Sequence, residues 1–105
     1  MSERAKTKED IMIIIAGHTE ATDVIARDAA VAGFAAMVEK ARQQDGCLDF
    51  SISADSVDEK RVNLFERWRD EQALKAWRKK AKGPRVAPTR VEVSLYRAEQ
   101  AEKPF

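Results

Sequence analysis

His18 is the side chain best suited to proton transfer near neutral pH, because the reference pKa of histidine is about 6.5. It is the only histidine of the chain, and it follows an apolar run in the segment Ala16-Gly-His-Thr-Glu20. A histidine at the end of a strand, beside the mouth of a cavity, could deprotonate a phenol. The alternative is a half-exposed histidine without a chemical role, and the sequence leaves both interpretations open.

Cys47 is the only cysteine, so the chain can form neither an internal disulfide nor a cysteine-based metal cluster. A nucleophilic thiol needs a neighbouring base, which favours the interpretation that Cys47 packs as a small apolar residue at the start of a strand. The sequence contains no metal-ligand motif, no glycine-rich dinucleotide loop and no Walker loop. We therefore expect no metal site.

The composition indicates one domain with a modest core, since the chain has 105 residues, of which 44% are hydrophobic and 35% charged. The net charge of +1 is spread over interspersed acidic and basic residues, which argues against a nucleic-acid-binding surface. The apolar run Ile11–Ala16 is too short for a signal or membrane segment. We expect a cytoplasmic protein with no nucleic-acid and no membrane partner.

Six segments of regular structure follow from the hydrophobic periodicity and the helix-capping residues. Their order is β-α-β-β-α-β, a split βαβ, ferredoxin-like arrangement of the α+β class. The domain is predicted over residues 10–97, between a disordered leader (1–9) and a polar tail (98–105). The predicted strands are Ile11–Glu20, Leu48–Ala54, Arg61–Trp68 and Thr89–Arg97, and the helices run from Thr22 or Asp23 to Gln44 and over Glu71–Lys82.

The predicted strands differ in how many faces they bury. The second and fourth alternate apolar and polar residues, which is typical of a strand with one wet face, whereas Ile11–Ile15 is apolar throughout. We therefore expect the first and third strands at the centre of an antiparallel sheet. Two helices can cover only one face of it, so Phe65 on the other face needs a partner sheet. A two-fold homodimer would supply one.

A motif of moderate specificity joins the second strand to the second helix. It consists of Gly46-Cys-Leu48, followed by Glu66-Arg-Trp68, Asp70 and Ala73-Leu74. This pattern resembles the antibiotic biosynthesis monooxygenase (ABM) domain family over roughly Ile11 to Arg97. The resemblance implies a dimeric α+β barrel, in which two sheets close against each other, and so agrees with the burial argument for a homodimer.

The ABM family is known for oxidising substrates with molecular oxygen and no bound cofactor. The resemblance therefore implies a cofactor-independent monooxygenase acting on a phenolic, anthrone or quinol-like aromatic. Such a protein needs an apolar slot, one or two hydrogen-bond donors and in some cases a base. Because the same barrel hosts many functions, two alternatives stay open: a non-catalytic dimer that binds a small ligand, and an isomerase or lyase with His18 as its base.

Trp68 and Asn63 are the catalytic candidates that the resemblance adds to His18. In one hydroxylase branch of the family a tryptophan at this strand end lines the pocket, where its ring and indole N–H could hold a flat substrate. That branch also uses an asparagine four residues earlier, where this chain has Leu64, and Asn63 in a regular strand points to the opposite face. Trp68 could instead belong to the core. The predicted substrate-binding residues are Phe34, Phe50, Leu64, Leu74 and Trp77.

Trp77 stands where many relatives carry a histidine, so this chain lacks a proton shuttle that they could use. A tryptophan at this position also occurs in the haem-degrading branch, paired with a histidine haem ligand ten residues later. Here that residue is Ala87, which argues against haem chemistry. We interpret Trp77 as core or as a wall of the cavity, and we note Arg67 and Tyr96 as further polar candidates on strands.

Overall fold

A computed structural model describes residues 7–83 and 88–105 of the chain. The predicted order β-α-β-β-α-β is confirmed, with a single 3-10 turn at Lys8–Asp10 in front of it. Residues 1–6 of the predicted leader and 84–87 of the proline-bounded loop lie outside the described residues. The elements are β1 (Met12–Glu20), α1 (Val24–Arg42), β2 (Cys47–Ala54), β3 (Arg61–Trp68), α2 (Glu71–Lys80) and β4 (Arg90–Ala98).

The four strands form one antiparallel sheet in the order β2-β3-β1-β4. This confirms that the first and third strands of the sequence are central and that the second and fourth are the edges. The pairing places Ile13 opposite Trp68 and His18 opposite Asn63. Because side chains alternate along a strand, these two pairs point to opposite faces of the sheet.

Both helices begin at an aspartate that lies just outside the helix. Asp23 accepts a hydrogen bond from the backbone N–H of Ala26, and Asp70 accepts one from Ala73, each at 2.8 Å. A carboxylate at this position satisfies an N–H group that has no partner within the helix. Of the two predicted starts of the first helix, Thr22 and Asp23, the structure thus has Asp23 as the cap, and the predicted start of the second helix at Glu71 is confirmed. No helix in the described part of the chain is long and apolar enough to cross a membrane.

The helices cover one face of the sheet, which we call the helix face. Its core combines β1, β2 and β3 with the inner sides of the two helices, and Met37 and Val38 of α1 pack against it. Trp68 and Phe50 are among the largest side chains that are fully buried. The core residues are Ile13, Ile15, Ala41, Phe50, Trp68, Ala73, Leu74 and Trp77.

Neither α1 nor α2 lies on the other face of the sheet, which we call the open face. Phe65 lies on it, directly opposite Ala16 of β1 and Ser51 of β2. Ile14 shares this face and, like Phe65, keeps part of its surface exposed. The expectation that Phe65 lies on the face that the two helices do not cover is thus confirmed.

Gly17 lies in β1 at a position where a side chain would point into the backbone of β4. Its φ of 150° is a conformation that favours glycine. A Cβ atom at this position would collide with the carbonyl oxygen of Glu92, and it would lie 2.8 Å from the Cα atom of Val93. The pairing of the two strands at this position therefore depends on the missing side chain.

We expect Gly17→Ala to lower the free energy of unfolding by roughly 2–5 kcal/mol, because backbone strain and overpacking each cost about 1–3 kcal/mol. Urea denaturation followed by circular dichroism measures this loss. Gly33→Ala is the matched control, since Gly33 is exposed within α1 and alanine there should add about 0.5–1 kcal/mol. Equal effects of the two changes would contradict the role given to Gly17.

Candidate functional site

Three aromatic rings meet on the helix face. Trp68 and Trp77 are stacked, with ring centroids 6.2 Å apart and an angle of 26° between their planes. Phe50 meets both edge-on, at centroid distances of 6.3 Å to Trp68 and 6.0 Å to Trp77. These are favourable geometries for aromatic pairs. The three rings fill the space between β2, β3 and α2.

Trp68 has 0% of its surface exposed, so neither side of its ring is free to receive a substrate in this conformation. Its indole N–H donates to the carboxylate oxygen Oε1 of Glu66 at 3.0 Å. The geometry therefore gives Trp68 a core position and one polar contact. Its predicted role as the floor of a substrate pocket stays a prediction.

Glu66 is not among the site residues that the sequence predicts. It lies two residues before Trp68 and therefore on the same face of β3. It pairs with Ile15 of β1 and with Phe50 of β2, both of which are buried. Burial raises the pKa of the Glu66 carboxyl above its usual value, and the Trp68 N–H and the charge of Arg78 oppose this shift. A carboxylate at a core-facing position of a central strand is the signal that could have found it.

A cleft of about 110 Å³ opens on the helix face, at the end of β1 and the start of β3. Phe34 and Ala30 of α1 form one wall, and Val62 lies on β3. The predicted substrate-binding residue Phe34 is thus placed in a cavity. The full lining is Thr19, Glu20, Ala21, Ala30, Phe34, Val62 and Pro88.

Leu64 lies between this cleft and Glu66, because Val62, Leu64 and Glu66 follow one another on the same face of β3. Its side chain is partly buried and packs against the core. The other predicted substrate-binding residues, Phe50, Leu74 and Trp77, are between 1% and 5% exposed and belong to the core itself. Their predicted contact with a substrate stays a prediction.

Asn63 lies on the open face, on the opposite side of β3 from Trp68. Its amide oxygen accepts from Nε of Arg61 at 2.7 Å, and its amide nitrogen donates to Oδ1 of Asp55 at 2.9 Å. Backbone N–H groups of the β2–β3 turn and the Asn63 amide together lower the pKa of Asp55 to about 2. Asn63 therefore helps to shape the hairpin, and nothing in the cleft reaches it.

His18 also points to the open face, where its register partners are Asn63 and Glu92. The cleft opens on the other side of the sheet, so His18 cannot exchange a proton with a molecule bound there. Arg67 and Tyr96 share the open face, each paired with Ile14. The proton-transfer role of His18 stays a prediction that the geometry of the cleft does not support.

A wider groove of about 460 Å³ lies between α1 and the edge strand β2. It is lined by one side of the helix, including Val31, Ala35 and Arg42, and by Ile52 of the edge strand β2. A molecule in this groove would remain in contact with solvent along its length. Because small-molecule pockets enclose most of the surface of their ligand, the smaller cleft beside Phe34 is the better candidate.

The sequence matches the model of a known protein family. The family model described as antibiotic biosynthesis monooxygenase matches residues 25–82, which is more than half of the chain. The matched segment contains Phe34, Leu64, Glu66 and Trp68. Among curated proteins, none matches this sequence.

Several solved structures share the fold. SO0527 from Shewanella oneidensis superposes with a TM-score of 0.67 at 16% identity, over 88% of this chain and 94% of that one. A candidate antibiotic biosynthesis monooxygenase from Deinococcus radiodurans gives 0.66 at 19% identity, over 89% and 98%. Rv0793 from Mycobacterium tuberculosis gives 0.60 at 24% identity, over 90% and 99%. At these identities the likeness shows the fold alone.

Replacing each core tryptophan by phenylalanine tests the contact between Trp68 and Glu66. Both Trp68→Phe and Trp77→Phe open a cavity of similar size, and each should lower the free energy of unfolding by about 1–3 kcal/mol. Trp68→Phe should cost roughly 1 kcal/mol more, because it also removes the hydrogen-bond donor to Glu66. Chemical denaturation at pH 7 measures both losses. If the two variants are equally stable, the hydrogen bond contributes nothing to the fold.

Proposed function

The chain belongs to the antibiotic biosynthesis monooxygenase family, and from that premise we propose that it is a cofactor-independent monooxygenase. Its substrate is a phenolic, anthrone or quinol-like aromatic, and its oxidant is molecular oxygen. The observation that carries the proposal is the apolar cleft beside Phe34, which lies on the same face of the sheet as the half-buried carboxylate of Glu66. A flat aromatic substrate needs such an apolar slot with few polar groups.

The overall reaction needs no external reductant. A methylene or aromatic C–H carbon of the substrate becomes a carbonyl, one oxygen atom of O2 enters that carbonyl, and the other leaves as water with the two hydrogens removed. The substrate supplies all four electrons. Because triplet oxygen reacts slowly with closed-shell molecules, the protein has to hold the electron-rich, deprotonated form of the substrate and exclude bulk water.

The size of the cleft limits how a substrate can bind. Its volume of about 110 Å³ is below the roughly 300 Å³ at which small-molecule pockets usually begin. A two-ring aromatic therefore enters only if a neighbouring side chain moves. Leu64 is the side chain that separates the cleft from the interior along β3, and its movement would lengthen the slot under α1.

We expect oxygen uptake by the purified protein with at least one member of a panel of anthrones, naphthols and dihydroquinones. Phe34→Ala should lower kcat/KM at least about tenfold, since a lost aromatic contact of ~1.4 kcal/mol corresponds to a factor of ten. An oxygen electrode measures the rate, and quinone formation measures the product. Phe105→Ala is the control, because Phe105 is fully exposed at the end of the chain.

If a panel member changes the tryptophan fluorescence but no oxygen is consumed, the protein binds a small ligand without oxidising it, and the monooxygenase proposal is wrong. A reaction without oxygen uptake would instead indicate an isomerase or lyase. In either case the cleft would keep its role as a binding site, and the oxidation chemistry would be withdrawn.

We further infer that two copies of the chain pair through their open faces. Phe65 and Ile14 leave apolar surface on a face that no helix covers. Nε of Arg67 is buried there and has no hydrogen-bond partner in the described part of the chain, which is costly unless a further group contacts it. A second sheet would cover the apolar side chains and could offer acceptors to Arg67.

Phe65→Asp should convert the dimer to a monomer, because it places a charge in the centre of the apolar face. Sedimentation velocity at micromolar concentrations measures the change in mass. Phe105→Asp adds the same charge at an exposed position and should leave the mass unchanged. A wild-type protein that sediments as a monomer would contradict the inference.

A further inference from the structure

We propose that Glu66 is the proton acceptor of this oxygenase and takes the acidic proton of the substrate bound between α1 and the sheet. This inference rests on the proposed function and names the group that performs its first step. Among the strand residues that face the helices in the described chain, Glu66 is the one carboxylate in the middle of the sheet. Its neighbours across the strands are Ile15 and Phe50.

The position of Glu66 is unfavourable for stability, which is typical of a residue with a functional role. The carboxylate is half-buried between apolar side chains, and within the described residues no cation forms an ion pair with it at 4.0 Å or less. Burying a charge without a paired cation costs free energy. Groups of this kind are enriched at sites where protons are transferred.

The hydrogen bond from Trp68 orients the carboxylate. The indole N–H donates to Oε1, and because it can only donate, Oε1 remains a hydrogen-bond acceptor whether the carboxyl is ionised or protonated on its other oxygen. In the described residues no donor contacts the second oxygen, Oε2, which is therefore free to accept a proton. Trp68 acts in this proposal as a positioning residue, which is consistent with its complete burial.

The route from the cleft to Glu66 follows β3. Val62 lines the cleft, and every second residue along a strand advances by roughly 7 Å on the same face. Leu64 is the next residue and Glu66 the one after it, so a substrate that displaces Leu64 extends towards Oε2. Leu64 is only partly buried, which makes its rearrangement less costly than that of a core residue.

The first step is a proton transfer from the substrate to Glu66. The acidic O–H or C–H bond of the substrate breaks, its electron pair stays on the substrate as phenolate or enolate, and the proton binds Oε2. When oxygen has been reduced by the substrate, the neutral acid returns this proton to the oxygen atom that leaves as water. Glu66 is thus ionised again at the end of the cycle, and no further co-reactant is needed.

Three charged or titratable groups surround Glu66 or the cleft: Arg78, Cys47 and Glu20. Arg78 of α2 favours the charged form, while the thiol of Cys47 on β2 is itself raised in pKa, first by burial and also by Asp49 and Glu66. Glu20 lies at the cleft and is the other carboxylate that a bound molecule could meet. A test of Glu66 therefore has to separate it from Glu20.

Glu66→Gln keeps the size and one hydrogen-bond acceptor but removes the base. We expect kcat to fall by about 10²–10⁴-fold with KM changed less than threefold, which is the range for loss of a general base. Glu66→Asp should recover part of the rate. Glu99→Gln, at an exposed position beyond β4, should match the wild type. A Glu66→Gln variant that keeps more than a tenth of the wild-type kcat overturns the inference.

The thermal midpoint of Glu66→Gln separates a chemical role from a structural one. Because the folded-state pKa of Glu66 is raised, its ionised form destabilises the fold once the pH exceeds the unfolded pKa. The glutamine variant should therefore be at least as stable as the wild type at pH 7, and any gain should shrink as the pH falls below the unfolded pKa, where the carboxyl becomes protonated in both states. A variant that melts well below the wild type at pH 7 overturns the inference, because the rate loss would then follow from the fold.

If the wild type consumes no oxygen with any panel member, the proposed function fails, and 1-naphthol binding then decides the role of Glu66. Titration by tryptophan fluorescence from pH 4 to 8 should show an affinity that rises as the carboxylate ionises and accepts the naphthol O–H. Loss of this pH dependence in Glu66→Gln, and its persistence in Glu20→Gln, would support contact with Glu66. An affinity that is independent of pH, or unchanged in Glu66→Gln, overturns it.

Discussion

The packing of Trp68 against Phe50 and Trp77 is the contact on which the rest of the protomer depends. It joins the last residue of β3 to an edge strand and to α2, with all three rings nearly or fully buried. The N–H of Trp68 must find an acceptor in this apolar region, and Glu66 supplies it. The stability of the core and the orientation of the half-buried Glu66 carboxylate are therefore coupled through the side chain of Trp68.

A second constraint is the number of helices. α1 and α2 cover one face of a four-stranded sheet, and this divides the polar residues of the strands into two groups that cannot meet. His18, Asn63, Arg67 and Tyr96 point to the open face, whereas Glu66 and the cleft lie on the helix face. Any chemistry in the cleft has to use the second group. The first group is available to a second copy of the chain.

The candidate site could be predicted from the sequence only in part. Phe34 is one of the predicted substrate-binding residues, and α1 places it beside the cleft. Trp68 was recognised by its motif, but a motif does not state whether a ring lines a cavity or fills the core. Glu66 belongs to the same motif, but the motif does not indicate its burial, which depends on residues far away in the chain.

The sequence by itself determined the element order, the helix caps and the central position of β1 and β3. These follow from local periodicity, from Asp23 and Asp70 before each helix, and from the contrast between apolar and alternating strands. Only the tertiary structure decided which side chains share a cleft and which carboxylate is desolvated. Both depend on how closely α1, α2 and the sheet approach one another, and that distance is set by the packed volume of the whole core rather than by any local segment.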